Sequence, residues 1–393
     1  MVISVVSPSL RRVCVFTGSR ADYGPTSPLI RRLADEPGID LRLLVSGGHL
    51  VPSQGMTVEA IKADGLQTAE EVDIALARSS PTATSKSFGL ACIGLADALD
   101  RLSPEVLVLP GDRYEALAMA VVAVQSLVPI VHLGGGQLTY GSVDERMRHA
   151  ISKLADVHFV AADVDRQRLI NMGEDPATIF HIPFLGVDPK VLGNLLDKEE
   201  LEDLIRSEIR SPLFLVTMHP VTADPAKSRE SIAAVLEALA DLRHVNVVFT
   251  APNSDSGGAA VMADIEEWIA GERQRATFIP SLGQLGYLSL VRHADLVVGN
   301  SSSGLTEAPI LGTPTVNIGS RQDGRPRAPS VVDCRELSSA GVKKAIQRAL
   351  SIGSGISTVD ISIPDAWAGI ELMSNVLTSF DFASHRTKKF YEK

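Results

Sequence analysis

The sequence predicts an α/β protein made of two Rossmann-like halves with a cleft between them. Three observations predict it. At 393 residues the chain is too long for one compact core. Short runs that are almost wholly apolar recur, such as Val106-Leu107-Val108-Leu109-Pro110, and strands covered by helices on both faces have this composition. Many of these runs end in glycine and open a helix. That alternation belongs to parallel sheets with ligand loops at the carboxyl ends of their strands. Hydrophobic residues make up 45% and charged residues 21%, which fits a globular protein. The net charge of −10 argues against a general nucleic-acid or membrane-surface binder. The three cysteines, Cys14, Cys92 and Cys334, are scattered and lack metal-ligand spacing, as in a reducing compartment. No apolar run approaches the roughly 18 residues of a membrane helix, and residues 1–12 are too lightly apolar for a secretory signal. The cytoplasm is the expected location.

Residues 12–18 read as the first buried strand, followed by Ser19-Arg20-Ala21-Asp22-Tyr23-Gly24-Pro25 and a helix over 27–35. Arg20 stands where open α/β sheets bind ligands, with Asp22 able to hold it; a surface Arg–Asp pair fits equally. After a strand at 41–45, His49 can line the cleft or sit in solvent. Residues 57–82 are polar and weakly periodic, which predicts a mobile insertion or short irregular strands. An amphipathic helix at 88–102 precedes the strand at 106–110. Asp112 then lies beside a helix N-terminus, either as a ligand group or as that helix's N-cap. The strand at 130–133 leads into Gly134-Gly135-Gly136-Gln137, where missing side chains let the backbone approach a ligand closely. The helix from about 142 carries Asp144 and Arg148 at i,i+4, able to pair as a solvated salt bridge. A strand at 157–160 and a helix at 164–172 follow. Proline and glycine punctuate 183–189, so the first domain is set at 1–187 and the second at 188–365.

The second half restarts the pattern, with strands at 213–217 and 245–250 and helices at 230–242 and 259–272. His219, just past the first of these strands, is a candidate acid/base or phosphate contact, or a structural loop histidine. The apolar run 294–299 precedes Asn300-Ser301-Ser302-Ser303-Gly304, with serines where a helix should begin. Such serines cap orphan N–H groups, and the same helix end attracts anions. A strand at 313–318 then leads to Arg321 and Arg325. This is a phosphate clamp, with Glu307 one turn inside the helix as a bidentate acceptor for two ribose hydroxyls; an ordinary turn with surface arginines is the alternative. Helices near 342–351 and 366–378 close the chain, and the charged tail 386–393 is expected to fray.

Together, Gly18-Ser19-Arg20-Ala21-Asp22-Tyr23, Gly111-Asp112-Arg113-Tyr114-Glu115, residues 144–153, Met218-His219-Pro220, Asn300 to Gly304 and Arg321-Gln322-Asp323-Gly324-Arg325 form a specific set. The chain resembles the hydrolysing UDP-N-acetylglucosamine 2-epimerases of sialic and legionaminic acid biosynthesis over residues 12–376. The resemblance implies a GT-B-like fold, with a C-terminal helix in 366–393 crossing back to complete the first domain. It implies a UDP-sugar substrate, a homodimer or homotetramer, and neither cofactor nor metal. The implied reaction is anti elimination of UDP across C1 and C2 to a bound glycal, then addition of water to release N-acetylmannosamine. On this resemblance Arg20, Asn253, Ser301, Ser302, Ser303, Glu307, Arg321 and Arg325 bind the nucleotide, and His219 lies near the diphosphate. Asp112 and Asp144 are acid/base or sugar-orienting groups supported by Arg113 and Arg148.

Two positions depart from the family pattern. Gln137 stands where a glutamate is usual, and an amide cannot exchange a proton at neutral pH. An acid/base group contributes about 10²–10⁴-fold. Gln137 therefore slows the enzyme, passes the role to Asp112, Asp144 or His219, or marks a changed reaction. The changed reactions are an NDP-sugar hydrolase or transferase without C2 chemistry, and a non-catalytic nucleotide-sugar binder. Gly134 also replaces a larger polar residue and leaves room beside the sugar.

Overall fold

The computed structural model describes residues 10–76, 80–182, 188–222, 224–252, 257–353, 363–385 and 387–392. The first sheet contains β1 (Arg11–Thr17), β2 (Ile39–Ser46), β3 (Thr68–Val72), β4 (Val106–Pro110), β5 (Ile130–Leu133), β6 (Val157–Val160) and β7 (Ile179–His181). Its spatial order is β3-β2-β1-β4-β5-β6-β7. The second contains β8 (Leu213–Thr217), β9 (Asn246–Thr250), β10 (Ala276–Ile279), β11 (Leu296–Gly299), β12 (Thr315–Ile318) and β13 (Val331–Cys334), in the order β10-β9-β8-β11-β12-β13. The pairings are parallel in both. Each sheet therefore winds outward from its first strand in one direction and then in the other. The switch points lie between β1 and β4 and between β8 and β11, and the crevice at their carboxyl ends is where such sheets take ligands.

Helices α1 (Arg20–Ala34), α2 (Val58–Ala63), α3 (Pro81–Leu102), α4 (Tyr114–Gln125), α5 (Asp144–Leu154) and α6 (Asp163–Asn171) accompany the first sheet. Helices α7 (Pro189–Leu192), α8 (Lys198–Ile205), α9 (Pro225–Asp241), α10 (Gly258–Gly271), α11 (Gly283–His293), α12 (Glu307–Ile310), α13 (Ser339–Ile352) and α14 (Ile363–Ser379) follow. The period-2 alternation of each strand divides it between two cores. Val13 and Val15 of β1 face Leu29, Ile30 and Leu33 of α1, whereas Cys14 and Phe16 face Leu95 and Leu99 of α3. In the second sheet Phe214 and Val216 face one core, and Leu213 and Leu215 the other. Ile370, Met373 and Leu377 of α14 share the core of α1, so the C-terminal helix crosses back to the first sheet as expected. Among the described residues no helix is long and apolar enough to cross a membrane.

Several local expectations are corrected. Helix α1 begins at Arg20, not near 27, and runs through Pro25 and Pro28. Pro28 has no N–H for the carbonyl of Gly24. That carbonyl accepts instead from Ser27 Oγ at 3.0 Å and from Gln284 Nε2 of α11 at 3.2 Å. Residues 57–82 are not an irregular insertion throughout: they supply α2, the edge strand β3 and the start of α3, with Ser80 Oγ capping Ala83 N at 3.1 Å. The tail does not fray across 387–392. Lys388 Nζ bonds Lys153 O at 2.8 Å at the end of α5, and Tyr391 N bonds Gly173 O at 2.9 Å. The expected domain boundary falls at 183–187, outside the described residues.

Candidate active site

The second switch point is closed by one side chain. Asn300, fully buried at the end of β11, accepts from His219 N at 2.7 Å and donates from Nδ2 to His219 O at 2.8 Å. It clamps the loop after β8 to the start of the serine segment. The strands can approach this closely because Gly299 has no side chain: a Cβ there would lie 2.0 Å from Thr217 O. The backbone carbonyl of Asn300 in turn accepts from Arg321 Nη1 at 3.1 Å and Gln322 Nε2 at 2.8 Å. The loop after β12 is thereby fixed over the serines. Burial pushes the His219 imidazole well below its usual range, and the Arg321, Arg20 and Arg113 charges push it further. It stays neutral beside concentrated positive charge.

The serine segment differs from the expected helix start. Ser302–Gly304 form a single 3₁₀ turn, and Glu307 opens the four-residue helix α12 instead of lying one turn inside a longer one. The anion-attracting dipole of a full helix is therefore weak here, and the arginines carry the charge. Ser301 Oγ accepts from Ser303 N at 3.4 Å, and Ser302 O accepts from Thr306 Oγ1 at 2.9 Å. Glu307 accepts from Thr306 Oγ1. Its carboxyl is raised mainly by burial, with Arg325 acting in the opposite direction.

At the first switch point Arg148 of α5 is 2% exposed and satisfies four acceptors. They are Asp112, Glu145 at 2.7 Å, Thr139 Oγ1 at 2.9 Å and Gln137 O at 3.0 Å. The expected Asp144–Arg148 surface bridge is thus corrected to a buried Arg148 held by Glu145 and Asp112. Asp144 accepts from Ser142 Oγ. Asp112 is not an N-cap either, because Arg113 occupies that position of α4. Burial alone would raise the Asp112 carboxyl, but Arg148, then Arg325 and Arg113, hold it below the usual carboxylate range. Arg113 lies against Glu115 at 3.3 and 3.4 Å. Asp22 accepts from Ser19 Oγ at 2.9 Å and so does not hold Arg20, whose Nη1 reaches across to Pro280 O at 3.1 Å. His49 neither lines the cleft nor meets solvent. It is buried between Thr17 Oγ1 at 2.9 Å and Thr57 Oγ1 at 2.8 Å.

The two switch points face each other. Tyr140 N donates to Asp323 O at 2.8 Å, and Arg325 Nε to Thr139 Oγ1 at 3.2 Å. Gly141 permits the contact, since a Cβ there would lie 2.4 Å from Arg321 Cα. Arg325 acts on Asp112 as well as on Glu307, and burial with Arg148 beside it brings its own pKa down to about 10. One electrostatic neighbourhood therefore joins Asp112, Arg113, Arg148, Arg20, His219, Arg321, Arg325 and Glu307. The half-buried Gln137 side chain lies over Gly134, with Nε2 3.8 Å from the place a Cβ would occupy. Asn253 lies outside the described residues. Among them, no group of His, Cys, Asp and Glu is arranged to hold a metal ion. Residues 31–360 match the family model described as UDP-N-acetylglucosamine 2-epimerase.

The chain belongs to the UDP-N-acetylglucosamine 2-epimerase family. A GDP/UDP-N,N'-diacetylbacillosamine 2-epimerase (hydrolyzing) of Campylobacter jejuni is 33% identical, covering 83% of this chain and 84% of that protein. The UDP-N,N'-diacetylbacillosamine 2-epimerase (hydrolyzing) of Legionella pneumophila is 34% identical, with 82% and 85% covered. Among solved structures, the UDP-GlcNAc 2-epimerase of Neisseria meningitidis bound to UDP-GlcNAc superposes with a TM-score of 0.77 at 16% identity, covering 94% of this chain and 99% of that one. The UDP-N-acetylglucosamine 2-epimerase of Rickettsia bellii gives 0.75 at 18%, covering 97% and 99%. The GT-B-like, two-sheet fold expected of the family is the fold observed.

Sequence reasoning set Asn300 and Glu145 within motifs without giving them a role, and missed Thr139 and Tyr287 as parts of the site. Burial raises the Tyr287 phenol to about 12, with Ser303, Glu307 and Thr217 around it. Only for Asn300 was a signal available: an amide at a strand's carboxyl end, before a serine run, is suited to bridging loops.

Proposed function

We propose that the chain is a hydrolysing 2-epimerase of NDP-linked 2-acetamido sugars, acting on UDP-N-acetylglucosamine or a diacetamido relative. It releases UDP and the free C2-epimeric sugar. The observation that carries this reading is the division of charge across the cleft. Arg321, Arg20 and Arg113 act on a neutral His219 at one switch point, Arg325 acts on Glu307 there and on Asp112, and Asp112, clamped by Arg148, faces them from the other. The first group suits a diphosphate and stabilises it as it leaves. Ser301, Ser302 and Ser303 contact its oxygens, and Glu307 takes the ribose hydroxyls.

In the first step the C2–H bond breaks and its electron pair forms the C1=C2 bond. The C1–O bond breaks as that double bond forms, and UDP departs with the C1–O electron pair. In the second step water adds as hydroxide to C1 and gives up its other proton to solvent, while C2 receives a solvent proton on the face opposite the one that lost it. Asp112, kept ionised by Arg148, orients the sugar, with Arg113 beside it. Asp144, which accepts from Ser142 Oγ, takes the C2 proton. The Gln137 amide makes no hydrogen bond among the described residues and donates to a substrate oxygen over Gly134.

We also propose a homodimer or homotetramer. Leu90 and Ile93 of α3, and Val121, Val124 and Leu127 in and after α4, form an exposed apolar face on two packed helices. Light scattering on the wild type and Ile93→Glu tests this. Free buried Cys14 and Cys334 fit a reducing, cytoplasmic setting.

The activity is tested by incubation with UDP-N-acetylglucosamine and with its 2,4-diacetamido counterpart, followed by chromatography of nucleotide and sugar. UDP and the C2 epimer in equal amounts are expected from one of them. UDP with unepimerised sugar supports the hydrolase reading instead. Binding without turnover supports a nucleotide-sugar binder.

A further inference from the structure

Asp22 sits at the centre of the first switch point without a task in the scheme above. It lies in the first turn of α1, and its carboxylate enters the gap between the ends of β1 and β4. A Cβ on Gly111 would lie 2.9 Å from Asp22 Oδ1, and one on Gly18 would lie 3.6 Å from Oδ2. Gly111 thus leaves the space that this carboxylate fills, and Gly18 lies in ordinary contact with it. The groups that face it are Ser19 from the β1 loop, and Arg113, Glu115 and Asp112 from the β4 loop and α4. Asp112 is bound by Arg148, and Glu115 by Arg113. Asp22 accepts from a neutral hydroxyl, Ser19 Oγ. Three carboxylates converge at one strand end, and a third negative charge there is opposed by the other two.

We propose that Asp22 is a proton-storing positioning residue of the epimerase: protonated, it leaves Arg113 to Glu115 and holds the 111–113 loop in working shape; ionised, it draws Arg113 away. This rests on the 2-epimerase reading. Burial and the Glu115 charge, against the pull of Arg113, raise the Asp22 carboxyl to about 7, which places the switch near neutral pH. Asp22 acts through Arg113 and Asp112 and transfers no proton to the sugar.

The test has two arms. In the resting enzyme, carboxyl carbon NMR of Asp22 and nitrogen NMR of Arg113 Nε are followed from pH 5 to 9. Both are expected to shift with one midpoint near 7. The second arm is the pH profile of kcat for UDP release. Wild-type kcat falls about tenfold per pH unit above that midpoint. Asp22→Asn, which keeps the shape of the protonated acid, loses this alkaline limb while kcat at pH 6 falls less than tenfold. An Asp22 midpoint below 5, or an Asn variant with the wild-type alkaline limb, overturns the proposal. A folded Asn variant that is inactive at every pH also overturns it, because the ionised form is then the working one. The NMR arm needs no turnover. If no epimer forms with any substrate while the two midpoints coincide, the epimerase reading fails and the Asp22–Arg113 switch stands.

Discussion

Asn300 holds the main chain of His219 by both its N–H and its carbonyl, at 2.7 and 2.8 Å, from a fully buried position between β8 and β11. This side chain thus fixes the histidine that faces Arg321 and Arg20. Asn300→Ala leaves a buried donor and acceptor unpaired, at about 1–3 kcal/mol each. Urea unfolding should show a loss of about 2–6 kcal/mol on that basis. Calorimetry should show UDP affinity reduced about tenfold, equivalent to about 1.4 kcal/mol.

Arg148 and Asp112 are expected to separate stability from turnover. Arg148→Met leaves the half-buried Asp112 and Glu145 without the buried arginine that pairs both, and should cost at most about 3 kcal/mol. Asp112→Asn removes the sugar-orienting charge, so kcat should fall by about 10²–10³-fold, the size seen when one transition-state contact is lost. UDP affinity should change little, because UDP alone does not reach Asp112 in this reading. A matched loss of UDP affinity would move Asp112 to the nucleotide side.

Gly141 tests the contact between the halves. A methyl group there would meet Arg321 Cα at 2.4 Å and Ser320 O at 2.5 Å, so the two loops must part. Gly141→Ala should weaken UDP binding about tenfold, or about 1.4 kcal/mol. The melting temperature should stay close to wild type, since neither sheet core is touched. Unchanged affinity would show that the loops need not touch to form the nucleotide site.

Glu174 gives the pH prediction. It is 1% exposed and bonds Lys153 Nζ at 2.6 Å and His158 Nε2 at 3.1 Å, with Lys388 from the tail beside it. Burial acts to raise its carboxyl, yet His158 and the two lysines hold it at about 2. Its folded pKa lies below the unfolded value of about 4.3, so its contribution is complete above that value and is lost as pH falls toward 2. That contribution is about 3 kcal/mol. Glu174→Gln should lower stability at pH 7 by a comparable amount and flatten the decline between pH 4.3 and 2. Chemical unfolding at several pH values checks both.

The strands were legible because burial on both faces leaves short apolar runs bounded by glycine, and β4, β5, β6 and β8 match their expected limits. Helix α1 was not legible past its prolines. Ser27 and the distant Gln284 satisfy the carbonyl that Pro28 leaves open, and no local pattern announces them. The tail looked frayed because Lys388 is charged, whereas its partner Glu174 lies 214 positions away in sequence. At the site, motifs at strand ends marked Arg20, Asp112, His219, Arg321 and Arg325. Which carboxylate meets Arg148 depended on tertiary packing: Asp112 comes from another strand end and Glu145 from one turn earlier, while sequence spacing favoured Asp144.

Proton NMR with UDP-N-acetylglucosamine in D₂O, for the wild type and Gln137→Glu, tests the central claim most directly. The wild type is expected to release UDP and a C2-deuterated N-acetylmannosamine, because Asp144 takes the C2 proton, solvent returns a deuteron, and Gln137 only donates to the substrate. The diacetamido counterpart is run beside it, and a C2-deuterated epimer from either substrate supports the same claim. UDP release with the C2 proton and configuration retained would contradict it, as would a silent wild type beside an active Gln137→Glu.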